Sequence, residues 1–230
     1  MNFIVIEGLD GSGKSSQIKM LQDYLAEKKI KFQYLHFPRH NTPVFGDLIA
    51  RFLRGELGEN DSVNPYLVAL IYASDRKDAA PMIKKWMNDG YVVVLDRYVN
   101  SNIAFQCAKT VNPDEKKKLA EWIINLEYQY YEIPKPDLTM FLDVPFDFTM
   151  QKLSGNRSGA DRDYLKGNRD IHEADLDFQK RVRDSYIMIS QFDKKMVVID
   201  CSDGKGNILP QIDVFKKIIK QLEKKLPGDK

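Results

Sequence analysis

Hydrophobic positions along the chain fall into two alternating patterns. Five short runs rich in β-branched and aromatic residues, at 2–6, 32–36, 91–95, 138–142 and 196–200, predict strands. Each run is compact, as expected of strands covered by helices on both faces. Between them the apolar spacing lengthens to helical intervals. Ile18, Leu21 and Leu25 predict a helix after the first strand, and Leu48, Ile49 and Phe52 one after the second. Leu119, Ile123 and Leu126 mark a helix ahead of the fourth strand, and Ile212, Phe215, Ile219 and Leu222 mark the last. The stretch 64–88 reads as one long helix or as two broken at Pro81, with Asp89-Gly90 as the exit into the third strand. This alternation predicts an α/β fold with a parallel sheet, and 230 residues suit a single domain.

One segment fits neither pattern. Residues 154–169, SGNRSGADRDYLKGNR, are rich in Gly, Asp and Arg, and read as a lid or as a long surface loop. Charge adds little: 35 basic against 33 acidic side chains leave a net +2, which argues for neither nucleic acid nor membrane as a partner. No apolar run approaches the ~20 residues of a membrane helix. Cys107 and Cys201 form no CxxC and read as free thiols, and the chain opens on an apolar strand without a charged leader, so the expected location is cytoplasmic. His36, His40 and His172 lack metal-ligand spacing, and no zinc centre is expected. The aromatic-rich run Glu127-Tyr128-Gln129-Tyr130-Tyr131 reads as core packing below the fourth strand.

The chemistry begins at Gly8-Leu9-Asp10-Gly11-Ser12-Gly13-Lys14-Ser15, followed by Ser16, which matches GxxxxGK[ST] between a strand and a helix. Glycines let backbone N–H groups turn inward around phosphate oxygens, and the helix that follows adds its positive end. Lys14 supplies a point charge to the β and γ phosphates, and the Ser15 hydroxyl can ligate Mg²⁺. The motif predicts binding of ATP or GTP. No N/TKxD base-reading loop is present to support a GTPase. The third strand ends in Leu95-Asp96-Arg97-Tyr98, where a parallel sheet places ligands, rather than in the extended acidic strand end usual in large ATPases.

Further segments narrow the reading. The opening Ile6-Glu7-Gly8-Leu9-Asp10, then Phe37-Pro38-Arg39, Tyr72-Ala73-Ser74-Asp75-Arg76 and Asp96-Arg97-Tyr98-Val99-Asn100-Ser101-Asn102, and finally Pro136-Asp137-Leu138 leading into Leu142-Asp143-Val144, resemble in this order the thymidylate kinase family. The resemblance covers most of the chain. It implies a three-layer P-loop NTPase-type fold with a five-stranded parallel sheet in the order 2-3-1-4-5, transfer of the γ-phosphoryl group of MgATP to dTMP, and a homodimer formed through parts of 43–54 and 65–88.

The resemblance also implies roles for individual residues. Gly8, Asp10, Gly11, Ser12, Gly13, Lys14, Ser15 and Ser16 would bind ATP, and Ser15 with Asp96 would hold Mg²⁺. Arg97 would hold the dTMP phosphate, for which a planar fork of donors suits better than lysine, with Arg39 as a second phosphate-side arginine. Tyr72 would stack on thymine and Arg76 would reach its O4 from the same helix face. Asn102 would read the N3 edge, since an amide both donates and accepts. Phe105 would crowd the sugar 2′ carbon, and Asp10 would accept the sugar 3′-hydroxyl. Gly11 and Ser12 leave the phosphate loop without an arginine, so Arg157, Arg162 and Arg169 of the lid would supply transition-state charge. Lys14, Asp96 and Arg97, with Arg157 and Arg162, form the catalytic set. Two rivals remain: a kinase for another nucleoside or monophosphate, and a non-catalytic nucleotide-binding module.

Overall fold

Strands β1 (Phe3–Gly8), β2 (Phe32–His36), β3 (Val92–Asp96), β4 (Leu138–Asp143) and β5 (Met196–Asp200) lie parallel in one sheet, in the order β2-β3-β1-β4-β5. This is the order that the resemblance implies. The computed structural model describes residues 2–154, 160–168, 170–173 and 175–223. Around the sheet lie α1 (Lys14–Glu27), α2 (Phe45–Leu53), α3 (Pro65–Asn88), α4 (Val99–Cys107), α5 (Pro113–Asn125), α6 (Phe146–Ser154), α7 (Leu176–Phe192) and α8 (Gln211–Glu223). No described helix is long and apolar enough to cross a membrane.

Successive strand side chains point to opposite faces, and both faces of the central strands are buried. Phe3, Val5, Val93, Leu95 and Phe141 pack on one side, against α3, α4, α5 and α7. Ile4, Ile6, Val94, Met140 and Leu142 pack on the other, against α1 and α8. Two cores on alternate residues explain why these strands read as continuous apolar runs. The expectation of two covered faces fails at β2, which is half-buried with Tyr34 exposed, because it lies at the sheet edge.

Pro81 does not divide α3, which runs unbroken for 24 residues after its cap Asn64, whose Oδ1 accepts the Tyr66 N–H at 2.9 Å. The proline sits on the exposed face, where the carbonyl it leaves unbonded can meet water, while Ala79, Ala80 and Ile83 anchor the helix in the core. Helix α7 was absent from the sequence reading, yet its buried Phe178, Val182, Tyr186 and Ile189 recur at helical intervals. Cys107 and Cys201 are buried free thiols.

A third, smaller cluster lies outside the two main cores. It joins Ile49, Phe52 and Leu53 of α2 and Val68 of α3 to Tyr72, Tyr164 and Ile171. Tyr164 belongs to a 3-10 turn, Ala160–Leu165, within the segment left open as lid or loop. Arg54 Nη1 donates to the Tyr164 carbonyl at 2.6 Å, and Ile171 N donates to the Leu53 carbonyl at 3.1 Å. The far arm of that segment is thus seated on α2.

The sheet registers Ile6 with both Asp96 and Met140, so the carboxyl ends of β1, β3 and β4 open on one edge. The connection from β1 runs to one side of the sheet, to β2, and that from β3 crosses to the other, to β4, and such a reversal point leaves a crevice there. Phe141 on β4 stacks against Tyr186 of α7, with ring centroids 4.4 Å apart. Replacing this fully buried ring, Phe141→Ala, is expected to cost about 3–5 kcal/mol in urea unfolding, and Phe141→Leu markedly less.

Candidate active site

The loop between β1 and α1 is set by its glycines. Gly11 and Gly13 take φ of 73° and 80°, in the left-handed region that favours glycine. Gly13 stands at the head of α1 without a side-chain cap, leaving first-turn N–H groups for a ligand. A Cβ on Gly8 would approach Ser12 Oγ to 2.6 Å. The Ser12 hydroxyl is buried without a partner, while Ser15 and Ser16 are exposed on the first turn. Lys14 bends back so that Nζ donates to the carbonyls of Leu9 at 2.8 Å and Gly8 at 3.2 Å. Burial, and then Arg97, push its ammonium down to about 8.

At the end of β3, Asp96 is buried. Its Oδ2 lies 3.2 Å from His36 Nδ1, and its Oδ1 has no partner. Burial opposes the charged form, but His36, Lys14 and Arg97 together hold the carboxyl below its ordinary value. Arg97 follows with φ 67°, which swings its guanidinium toward the phosphate loop. Its Nη2 donates to Asp10 Oδ1 at 2.8 Å and its Nη1 to Ser101 Oγ at 3.1 Å, and the group lies 5.1 Å over the Phe105 ring. Burial works against this charge and is outweighed by Asp10, Tyr186, Asp96 and Glu7, so the guanidinium is held more firmly protonated than usual. Asp10 Oδ2 also accepts from Gln179 Nε2 of α7 at 3.2 Å.

Beneath Arg97 lies Glu7, which is fully buried. Its Oε1 accepts the N–H groups of Tyr98 at 2.9 Å and Ser101 at 3.2 Å, and its Oε2 accepts the hydroxyls of Ser101 at 2.5 Å and Tyr186 at 2.9 Å. The first turn of α4 is therefore capped by a carboxylate from another strand.

On the α3 side, Arg39 is held by Asp75: Nε donates to Oδ1 at 2.8 Å and the backbone N–H to Oδ2 at 3.0 Å, while Nη2 reaches Asp78 at 2.6 Å. Arg76 is buried in a bidentate pair with Glu127, with Nε 2.5 Å from Oε2 and Nη2 2.7 Å from Oε1. Asn102 Nδ2 donates to Glu127 Oε1 and to the Ala69 carbonyl, both at 3.0 Å. The Tyr72 phenol is raised chiefly by burial and then by Asp170, with Arg97 and Arg76 opposing, and its ring packs against the cluster of Ile49, Phe52, Leu53 and Val68. Phe105 is nearly buried, between Arg97 and the rings of His172 and Phe178.

The structure thus joins Asp10 to Arg97, and Arg76 to Asn102 through Glu127, with Tyr72 on the small cluster of α2 and α3. Arg39 engages α3 instead. Arg157, Arg169 and the side chain of Arg162 lie outside the described residues. Sequence reasoning missed Glu7 as an anchor, Glu127 as a partner, and Gln179, Tyr186 and His172. Glu7 lies inside the motif, where a charged residue on a buried strand is itself a signal. Past the 3-10 turn, burial, with Asp10 and Glu173, raises Asp170 to about 7. The His40 ring stacks on Tyr164 at 3.7 Å, and burial, with His36, pushes its imidazole down to about 3.

Comparison with known proteins gives a consistent result. A sequence model described as thymidylate kinase matches residues 6–212. A thymidylate kinase of Mycobacterium tuberculosis is 33% identical over 178 residues, 77% of this chain and 80% of that protein. A probable thymidylate kinase of Pyrobaculum aerophilum is 29% identical over 223 residues, 96% of this chain and 99% of that one. Among solved structures, a thymidylate kinase from Candida albicans superposes with a TM-score of 0.69 at 26% identity, covering 96% of this chain and 90% of that chain.

The position of Lys14 makes a pH prediction. A lysine loses its charge as pH rises through its pKa, here about 8 in place of 10.5. A bound triphosphate favours the charged form, so its affinity should fall above pH 8, approaching about tenfold per pH unit. Titration of ATP binding by calorimetry between pH 7 and 9.5 checks this. Lys14→Met should bind weakly at every pH and show no such slope.

Proposed function

Since the chain belongs to the thymidylate kinase family and is an enzyme that phosphorylates dTMP to dTDP for dTTP synthesis, we propose that MgATP, bound on the β1–α1 loop, is its donor, and that dTMP lies between Arg97 and the group Tyr72, Arg76 and Asn102. The observation that carries this reading is the Arg97–Asp10 pair, which ties the residue after β3 to the phosphate loop at 2.8 Å.

The backbone N–H groups of Gly11, Ser12, Gly13, Lys14, Ser15 and Ser16 receive the donor's phosphate oxygens, beyond the backbone turn that Gly8 permits. Lys14 follows the charge onto the β and γ phosphates. The donor set for Mg²⁺ is chemically apt: Asp96 offers a buried carboxylate oxygen without a partner, and Ser15 a hydroxyl at the helix head. Asp96 and Ser15 would hold Mg²⁺, which would supply positive charge against the donor phosphates. Arg97 grips the acceptor phosphate through its fork, with Arg39 farther out. That phosphate is already ionised near neutral pH, so no side chain has to remove a proton, and Asp96 acts by positioning and charge. Tyr72 stacks on the base, Arg76 and Asn102 meet its polar edge, Asp10 accepts the sugar 3′-hydroxyl, and Phe105 closes the sugar side. Arg157 and Arg162 complete the reading as lid cations. Pairing of two copies belongs to it as well, supported by the exposed apolar residues Tyr66, Leu67 and Leu70 on α3.

A coupled assay of ADP release with dTMP, dUMP, thymidine and UMP tests this reading. dTMP should be preferred, and Arg97→Ala should lower kcat/KM for dTMP by at least about 100-fold. A preference for another monophosphate would overturn the base assignments, and equal turnover of thymidine would overturn the role of Arg97.

A further inference from the structure

We infer that Glu127 is the positioning residue that sets base specificity, by fixing which way the polar groups of Arg76 and Asn102 face. The inference rests on the acceptor pocket proposed above. Glu127 lies in a π-helical turn, Leu126–Tyr130, that continues α5, and its side chain is fully buried. Turns of this kind recur at functional sites. Its Oε1 accepts from both Arg76 Nη2 at 2.7 Å and Asn102 Nδ2 at 3.0 Å, so one oxygen joins the two base-reading candidates.

The orientation of the Asn102 amide follows from its partners. Nδ2 faces the Glu127 carboxylate and the Ala69 carbonyl, and both of these only accept. Oδ1 must therefore point the other way, where it is buried and has no partner. Arg76 commits Nε and Nη2 to the same carboxylate, leaving Nη1 free of it. The pocket thus presents a fixed acceptor beside a fixed donor. Thymine offers the complement, an N3–H donor beside the O4 acceptor. Cytosine offers the reverse, a bare N3 beside an amine. Through Glu127, Asn102 cannot flip to suit cytosine without turning its oxygen onto a carboxylate.

Glu127→Gln keeps the shape but removes the charge and puts an amide N–H where an acceptor stood, which leaves the Ala69 carbonyl alone to hold the Asn102 amide in one orientation. The probes are dTMP and 5-methyl-dCMP, which share methyl, sugar and phosphate and differ only at N3 and C4. In the wild type, kcat/KM should favour dTMP by at least about 100-fold. In the variant the preference should fall by at least about tenfold, chiefly through a raised KM for dTMP, with kcat within about threefold. A folded variant whose preference stays within about twofold of the wild type would overturn the inference, even if its activity were lower. Breaking a buried pair can unfold a protein, and in that event Glu127→Asp decides. It keeps the charge, but is one methylene too short to hold Arg76 and Asn102 together, so its preference should fall by at least about threefold; an unchanged ratio overturns the inference here too. A wild type that phosphorylates neither probe sinks the pocket itself, an outcome distinct from an active wild type whose preference the variants leave intact.

Discussion

The arrangement of the site depends on one buried carboxylate. Glu7 sits in the central strand with no exposure and accepts four hydrogen bonds, two from the backbone of the first turn of α4 and two from hydroxyls. An unpaired buried charge would cost several kcal/mol, and each donor offsets part of that. The donors come from α4 and α7, so satisfying the carboxylate fixes both helices against β1. It also fixes Arg97, which lies between the end of β3 and the capped turn, donates to Ser101 and lies 3.4 Å from the Tyr186 hydroxyl. The left-handed backbone at Arg97 is a cost of order 1 kcal/mol that this surrounding structure supports.

With that anchor in place, the guanidinium groups become legible as a graded set. Arg76 is wholly enclosed, and its carboxylate takes the face of the fork that carries Nε and Nη2. Arg97 shares its charge with Asp10 of the phosphate loop, at a site with residual exposure. Arg39 leans on one buried and one exposed carboxylate of α3. Buried pairs of this type are weak evidence for stability, because desolvation consumes much of the attraction. Their contribution is better explained by position: each carboxylate holds a planar fork in one orientation.

Much of this could be read in the sequence where the signal is local. The phosphate loop joins strand and helix within eight residues, and the strands announce themselves as short apolar runs. The continuity of α3 through Pro81 was undecidable from spacing, because it turns on which face the proline occupies. The Arg76–Glu127 pair spans 51 positions and Arg97–Asp10 spans 87, distances at which no pattern couples two charges. Reading 127–131 as core holds for Glu127 alone, since Gln129 and Tyr130 are exposed and Tyr128 and Tyr131 only half-buried. It missed that a buried carboxylate demands partners, and that demand was the available clue.

Asp10 shows why the loop carries an acid at all. A carboxylate within a phosphate cradle opposes the anion the cradle receives, so its presence calls for a compensating task. Its two oxygens are held from different sides, one by Arg97 and the other by Gln179, whose Nε2 also donates to the His172 carbonyl at 2.9 Å. His172 belongs to the arm that seats Ile171 and Tyr164 on α2 beside Tyr72. The same carboxylate therefore neutralises Arg97 and, through Gln179, ties down the segment around His172. Deleting its charge would loosen both at once, which is why an otherwise awkward acid fits this position better than the neutral residue that simple phosphate binding would favour.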